Sequence, residues 1–165
     1  MSASPILALR NLGSAAAALG DDTGSVAYHH EAIARARAAA DEWALALALN
    51  TYAVFSPVVA DLDQARTLLE ESLRIRLRTG EPRGIATTAI NLAYTALSAG
   101  EIEYADSLNN EALARAREIA DRPTISAALV NRVQIALMRG QLDDALTHFG
   151  EALTTGPTNT WVWSN

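Results

Sequence analysis

The 165-residue chain contains no cysteine and no lysine, and only 5% of its residues are aromatic. Without cysteine, disulfide bonds and thiolate metal sites are excluded, and the redox compartment cannot be read from the sequence. Without lysine, the phosphate-binding motif GxxxxGK[ST] cannot be formed. Strands favour β-branched and aromatic residues, and both classes are sparse here. The composition therefore predicts an all-α protein, whose abundant alanine suits closely packed helices.

Positive charge is also scarce, since thirteen arginines face nineteen acidic residues and the net charge is −6. A phosphate backbone would be repelled and no basic stripe offsets this, so we expect no direct nucleic-acid binding. No apolar run reaches the roughly 18 to 20 residues that span a bilayer, so we expect no membrane partner. Arg10 and Asn11 interrupt the N-terminal apolar stretch, which argues against a signal peptide. The expected location is cytoplasmic.

A repeat with a period of forty residues runs along the chain. Gly20, Ala60, Gly100 and Gly140 are evenly spaced, and each is followed by an acidic or amide residue. A second series with the same spacing consists of Glu31, Glu71, Glu111 and Glu151. Asn11, Asn91 and Asn131 follow the same spacing, and in the second unit the asparagine is Asn50, one place before the expected position. A period of this length is the signature of a repeat architecture.

Each repeat unit is predicted to form two helices. In the third unit, Pro82 suits the first turn of a helix that Gly100 ends. Apolar residues at three- and four-residue steps predict a second helix from about Ile102 to Ala120. Short links make the two helices antiparallel, and neighbouring hairpins must stack because one hairpin cannot bury its apolar face. We predict a right-handed α-α superhelix over residues 1–154, with units at about 4–41, 42–80, 81–121 and 122–154 and a C-terminal tail at 155–165.

The third unit contains the series Asn91-Leu92-Ala93, Gly100, Ala105 and Ala112-Leu113. This series resembles tetratricopeptide repeats, although the period is about six residues longer than the usual thirty-four. Segments 68–73 and 111–118 are similar to the repeat domains at the C-terminal end of bacterial signal-transduction ATPases and of MalT-like, LuxR-type and SARP-type transcriptional regulators. The resemblance implies a non-catalytic scaffold that binds protein or peptide, as the partner-docking or sensing module of a bacterial regulatory protein.

The resemblance also implies a binding groove, because in such repeats the first helix of each pair lines the concave side. The implied groove residues are Arg10, Asn11, Ser14, Asn50, Val54, Thr87, Asn91, Tyr94, Leu97, Ser98, Val130, Asn131, Gln134, Leu137 and Met138. Asn11, Asn91 and Asn131 would form a ladder of amides that could clamp an extended peptide. Alternatively, each amide bonds a neighbouring helix, and both roles can hold at once. The apolar members of the set suit an amphipathic helix or an apolar peptide segment.

The C-terminal end of the solenoid is predicted to be uncovered. The last helix exposes Leu142, Leu146, Phe149 and Leu153 unless another segment lies over them. Solenoids normally finish with a polar capping helix, and residues 155–165 are too short to form one. Trp161 and Trp163 could fold back over this edge or join a second copy of the chain. A homodimer through the C-terminal end is therefore a hypothesis.

No catalytic, metal or cofactor site is predicted. His29 and His30 are adjacent and point in different directions on a helix, so they cannot ligate one metal as an i, i+4 pair would, and His148 lies far along the chain. No G-x-S-x-G turn or other nucleophile motif is present. Two alternatives to the scaffold remain. One is a small-molecule effector sensor that closes the groove between Tyr94 and Met138, and the other is a structural oligomerisation module.

Overall fold

The structure, a computed structural model, describes residues 4–55 and 61–155. Within these residues the chain forms eight helices and no strand. The helices are α1 (Pro5–Ala18), α2 (Asp22–Ala38), α3 (Glu42–Phe55), α4 (Leu62–Thr79), α5 (Pro82–Ser98), α6 (Ile102–Glu118), α7 (Arg122–Met138) and α8 (Leu142–Thr155).

Residues in the left-handed backbone region end the helices. Gly100 has φ 79°, as predicted for the residue that terminates α5, and Gly80 after α4 has φ 71°. Glycine is the usual residue here because it has no Cβ to clash with the following carbonyl. Ala40 and Ala120 occupy the same place in the first and third units and also have positive φ, 51° and 52°. Alanine therefore ends α2 and α6, whereas glycine ends α1, α4, α5 and α7.

The hairpins stack in chain order, so the predicted all-α solenoid is confirmed. Every helix packs against the next one along the chain. The first helices also contact one another, α1 with α3 and α5 with α7, whereas α2, α4, α6 and α8 make no close backbone approach to each other. Because the first helices lie closer together, they form the inner wall of the curve. Fully buried alanines on these helices, such as Ala93 on α5 and Ala128 on α7, permit this close approach.

The apolar core is divided between the two halves of the solenoid. The first two units share one cluster that includes Ile33, Leu49 and Ile75. The last two units form two smaller clusters, which include Leu113 and Ile135. Where the halves meet, α3 and α5 touch less extensively than the other neighbouring first helices. This limited contact between α3 and α5 positions the candidate site described below.

A buried arginine marks the same joint. Arg76 is only 5% exposed, and its guanidinium lies 3.3 Å from the carboxylate of Glu81. Its burial lowers the pKa of Arg76, and Glu81 opposes that effect. The positions forty residues away in either direction are Ala36 and Ala116. Space for the larger residue comes from Gly84, where an added Cβ would overlap the guanidinium.

We predict that the effect of Gly84→Ala depends on residue 76. In the wild-type background the substitution should destabilise the fold by about 1–3 kcal/mol, because the guanidinium must leave its buried place. In an Arg76→Ala background it should stabilise the fold by up to about 1 kcal/mol, since alanine is the better helix former. Urea unfolding of the four proteins gives the coupling free energy. Equal effects in the two backgrounds would contradict the contact.

Candidate functional site

The amide ladder links the first helices to one another. The side-chain nitrogen of Asn91 donates to the side-chain oxygen of Asn50 at 3.1 Å, and that of Asn131 donates to the carbonyl of Ile90 at 3.1 Å. Asn50 and Asn131 are buried, so their amides bond neighbouring helices and do not face a ligand. Asn91 is half-buried, and its side-chain oxygen has no hydrogen-bond partner among the described residues. Asn11, at the free end of the ladder, is exposed.

Three further members of the predicted groove set do not line the concave wall. Leu97 is only 5% exposed and packs into the core of the last two units. Val130 and Leu137 are exposed, but forty residues earlier their counterparts Ile90 and Leu97 are buried against the following unit. Val130 and Leu137 therefore belong to the uncovered C-terminal end of the solenoid. The resemblance therefore predicted the helix of Val130 and Leu137 but not the face of α7 on which they lie.

The remaining groove residues differ in exposure. Tyr94 is 54% exposed, Met138 is 48% exposed and Val54 is 44% exposed, and Asn11 and Ser98 are also exposed. The half-buried members of the set are Arg10, Ser14, Thr87, Asn91 and Gln134. Exposed apolar and aromatic side chains on an inner wall are the candidates for contact with a partner.

Four predicted groove residues meet in one cavity at the joint between the two halves, which we call the notch. The notch has a volume of about 200 Å³. It lies between the end of α3, the start of α4 and the middle of α5. Its lining residues are Ala53, Val54, Leu62, Ala65, Asn91, Tyr94, Thr95 and Ser98. The sequence missed Ala53, Leu62, Ala65 and Thr95, because no local pattern shows that α4 begins beside α5.

The described lining residues of the notch are uncharged, and the hydroxyls of Thr95 and Ser98 are already used as donors. Thr95 donates to the carbonyl of Asn91 at 3.0 Å, and Ser98 donates to the carbonyl of Tyr94 at 3.1 Å. The walls from α3 and α4 are alanine, valine and leucine. A site of this kind accepts an apolar side chain, while the oxygen of the Asn91 amide and the Tyr94 hydroxyl can bond a peptide backbone.

A larger cleft of about 550 Å³ lies on the opposite side, between α2 and α4. Its lining residues are Ala27, His30, Glu31, Ile33, Ala34, Arg37, Leu49, Tyr52, Gln64 and Leu68. Most of its polar groups already have partners. His30 lies 3.1 Å from the hydroxyl of Tyr52, and Glu31 and Arg37 each form an ion pair with a neighbouring side chain. This pairing leaves little to recognise a ligand, so the larger cavity is the weaker candidate.

The two adjacent histidines have different surroundings. His29 is fully buried, and neither ring nitrogen has a hydrogen-bond partner among the described residues. Burial, with the nearby charges of Arg10 and His30, lowers the pKa of His29 to about 4. Its ring packs on Tyr52, with the ring centroids 5.2 Å apart. His29 is therefore a neutral core residue, and within the described residues no three metal-ligating side chains cluster.

Residues 6–41 match the protein-family model described as tetratricopeptide repeat. No curated protein matches the chain. Among solved structures, aspartyl phosphate phosphatase F from Bacillus subtilis is similar with a TM-score of 0.79 and 15% identity, over 93% of this chain and 41% of that chain. BtubC (BKLC) from P. vanneervenii is similar with a TM-score of 0.77 and 19% identity, over 95% of this chain and 64% of that chain.

This chain therefore spans less than two thirds of the length of either solved structure. The structural similarity shows a shared tetratricopeptide-like solenoid. Because the sequence identities are low, no activity is carried over from these proteins to this chain. Repeats of this kind generally serve as protein-interaction scaffolds. None of the described helices has the length and apolar composition needed to cross a bilayer.

Proposed function

We propose that this chain is a non-catalytic scaffold that binds a peptide or helix on its inner wall, with the notch as the anchor point. The observation that carries the proposal is the meeting of Val54, Asn91, Tyr94 and Ser98 in one uncharged cavity. Peptide grooves in helical solenoids use an anchor side chain in a pocket together with hydrogen bonds to the peptide backbone. The notch offers both, and its size suits a single side chain.

The chemistry of the notch favours an apolar anchor. None of its described lining residues is charged, so an acidic or basic anchor would lose its hydration without gaining an ion pair with them. The partner we propose is therefore a segment with a leucine, methionine or phenylalanine at its centre. A ligand of this kind fits the docking or sensing module of a bacterial regulatory protein, the role that the sequence resemblance implies.

A small-molecule effector is the rival function. The notch is smaller than the roughly 300–1,000 Å³ typical of small-molecule pockets, which disfavours this reading on the inner wall. Thermal stabilisation of the chain by a small metabolite, reversed by Tyr94→Ala, would favour the rival over the peptide scaffold.

We predict that Tyr94→Ala weakens peptide binding at least about tenfold, as expected for an aromatic side chain that the bound peptide covers at the centre of an interface. Random twelve-residue peptides displayed on phage are selected on the wild-type chain, and the enriched peptides are synthesised and titrated by fluorescence polarisation. Tyr28→Ala is the matched control, because Tyr28 is an exposed tyrosine on α2, away from the notch.

Two results would contradict the proposal. One is an enriched peptide that binds Tyr94→Ala as tightly as wild type but loses affinity for Tyr28→Ala. The other is a selection that enriches no peptide with an apolar anchor. Circular dichroism spectra of both variants establish that each substitution leaves the helices intact.

A further inference from the structure

Helix α1 carries an exposed apolar row on one face. The row consists of Pro5, Ala8, Leu12, Ala15 and Leu19. Leu12 is 48% exposed and Leu19 is 86% exposed. Eighty residues further on, α5 has Ile85, Thr88, Leu92 and Thr95, and all four are buried. The counterpart of Leu19 is Ala99, which is exposed, so the comparison holds for the other four positions. In α5 these four are covered by neighbouring helices, whereas in α1 nothing among residues 4–55 and 61–155 covers them.

Helix α8 carries a second exposed row at the other end. Leu142, Leu146 and Leu153 are each more than 60% exposed, and Phe149 is 42% exposed. The counterparts of these residues forty residues earlier lie on the face of α6 that packs against α7. The counterparts are Ile102, Asp106, Asn109 and Leu113, and each is buried or half-buried. The row on α8 therefore has the register of a surface that receives the first helix of a following unit.

The two rows are complementary at the position where an interior joint has an ion pair. Between α6 and α7, Arg139 binds Asp106 at 2.7 Å. The repeat places Leu146 at the counterpart of Asp106 and Leu19 at the counterpart of Arg139. Both charges are thus replaced by leucine, one at each end of the solenoid. Arg139 also binds Glu103, whose side chain is 85% exposed, and the counterpart of Glu103 is the exposed Asp143. A joint between the two ends would therefore pair two leucines and leave the Asp143 carboxylate in solvent.

The amide ladder supplies a matching hydrogen bond. Inside the solenoid, Asn131 donates to the carbonyl of Ile90 at 3.1 Å. The same register places Asn11 opposite the carbonyl of Val130, if α1 of another chain follows α7 and α8. Asn11 is exposed, and among the described residues its side chain bonds only Arg10. The ladder therefore ends in an amide donor on Asn11 at one end of the solenoid and in the carbonyl of Val130 at the other.

We infer that α1 of a second copy of this chain docks against α7 and α8 of the first copy, in the place of a next repeat helix. Leu19 covers Leu146, and Asn11 donates to the carbonyl of Val130. Leu137, exposed on α7, is buried by the same contact. The interface is heterologous, so each copy uses its two ends on two different neighbours, and assembly is head-to-tail. It is independent of the notch, which the joint leaves open.

Sedimentation velocity of the full chain with two variants tests the inference. The mean mass of the wild type should rise above 17.5 kDa with concentration. Leu19→Asp and Leu146→Asp should each stay at 17.5 kDa, because the new carboxylate would lie against a leucine without the arginine partner that Asp106 has in the interior joint. An equimolar mixture of the two variants should form a species of twice 17.5 kDa and nothing larger, since one joint in each dimer has no aspartate. Leu77→Asp, on an exposed position of α4, is the matched control and should assemble as wild type.

Three outcomes would overturn the inference. The wild type could remain monomeric at several hundred micromolar. Leu146→Asp could abolish association while Leu19→Asp leaves it intact, which indicates a symmetric contact through α8. Association could also require removal of residues 156–165, in which case the tail and not a second copy occupies α8. Circular dichroism of each variant establishes that the helices are retained.

Discussion

The stability of the wild-type chain should fall by about 3 kcal/mol more than that of His29→Leu as the pH is lowered from about 6.5 to 4. The folded state holds the pKa of His29 at about 4, against the ordinary histidine value of 6.5. Between these values the unfolded chain binds a proton that the folded chain does not, so stability decreases as the pH falls. The shift corresponds to about 3 kcal/mol at 1.36 kcal/mol per pKa unit. Above about pH 7 this group contributes no pH dependence.

The measurement is urea unfolding of wild type and His29→Leu at half-unit pH steps. Leucine is the residue forty positions on, where Leu69 is also buried, so the substitution should pack well. It should also stabilise the chain at pH 7 by about 1–3 kcal/mol, because an imidazole without hydrogen-bond partners is removed. His30→Gln, which keeps a polar group beside Tyr52, should leave most of the His29-dependent loss of stability in place, because burial is the largest cause of the lowered pKa of His29. Parallel profiles for wild type and His29→Leu would contradict the buried neutral state.

Gly13→Ala should destabilise the fold by about 2 kcal/mol, although alanine is the better helix former. Gly13 lies against the ring of His29, and a Cβ on residue 13 would be 2.7 Å from its Nε2 atom. Both residues are buried, so the ring cannot swing into solvent. The equivalent positions in the third and fourth units hold larger residues than glycine, Ala93 and Val133.

A double-mutant cycle with His29→Ala separates the contact from helix propensity. When the ring is absent, Gly13→Ala should become neutral or stabilising by up to about 1 kcal/mol. The coupling free energy should therefore reach about 2–3 kcal/mol, the upper range for residues in contact. A matched control is Ala17→Gly on the same helix, whose effect should not depend on residue 29. A coupling near zero would refute the steric account.

The elements were predictable where short-range chemistry defines them. Pro82 and Gly100 bracket α5, which runs over Pro82–Ser98, because one residue fixes φ and the other adopts the left-handed region. The exposed row on α8 was also predicted from its apolar spacing. The tryptophans proposed to cover it, Trp161 and Trp163, lie outside the described residues. Stacking followed because an isolated hairpin cannot bury its apolar face.

The site was predictable only in part. The resemblance identified first helices correctly, but it did not distinguish the inner wall from the flank of each helix. Asn50 and Asn131 are buried because their amides reach the neighbouring first helix, a distance set by how closely two units pack. The notch required α3, α4 and α5 together, and its position depends on the looser contact between α3 and α5.

The amino-acid order by itself determined an all-α array of four stacked hairpins, since helix period, proline and glycine act over a few residues. Only the tertiary structure decided which side chains face the inner wall and which departures from the repeat are compensated. Gly13 beside His29 and Gly84 beside Arg76 read as unrelated substitutions along the chain. They become matched pairs in space because interiors are close-packed, so a larger side chain in one helix requires a smaller one in the helix it touches.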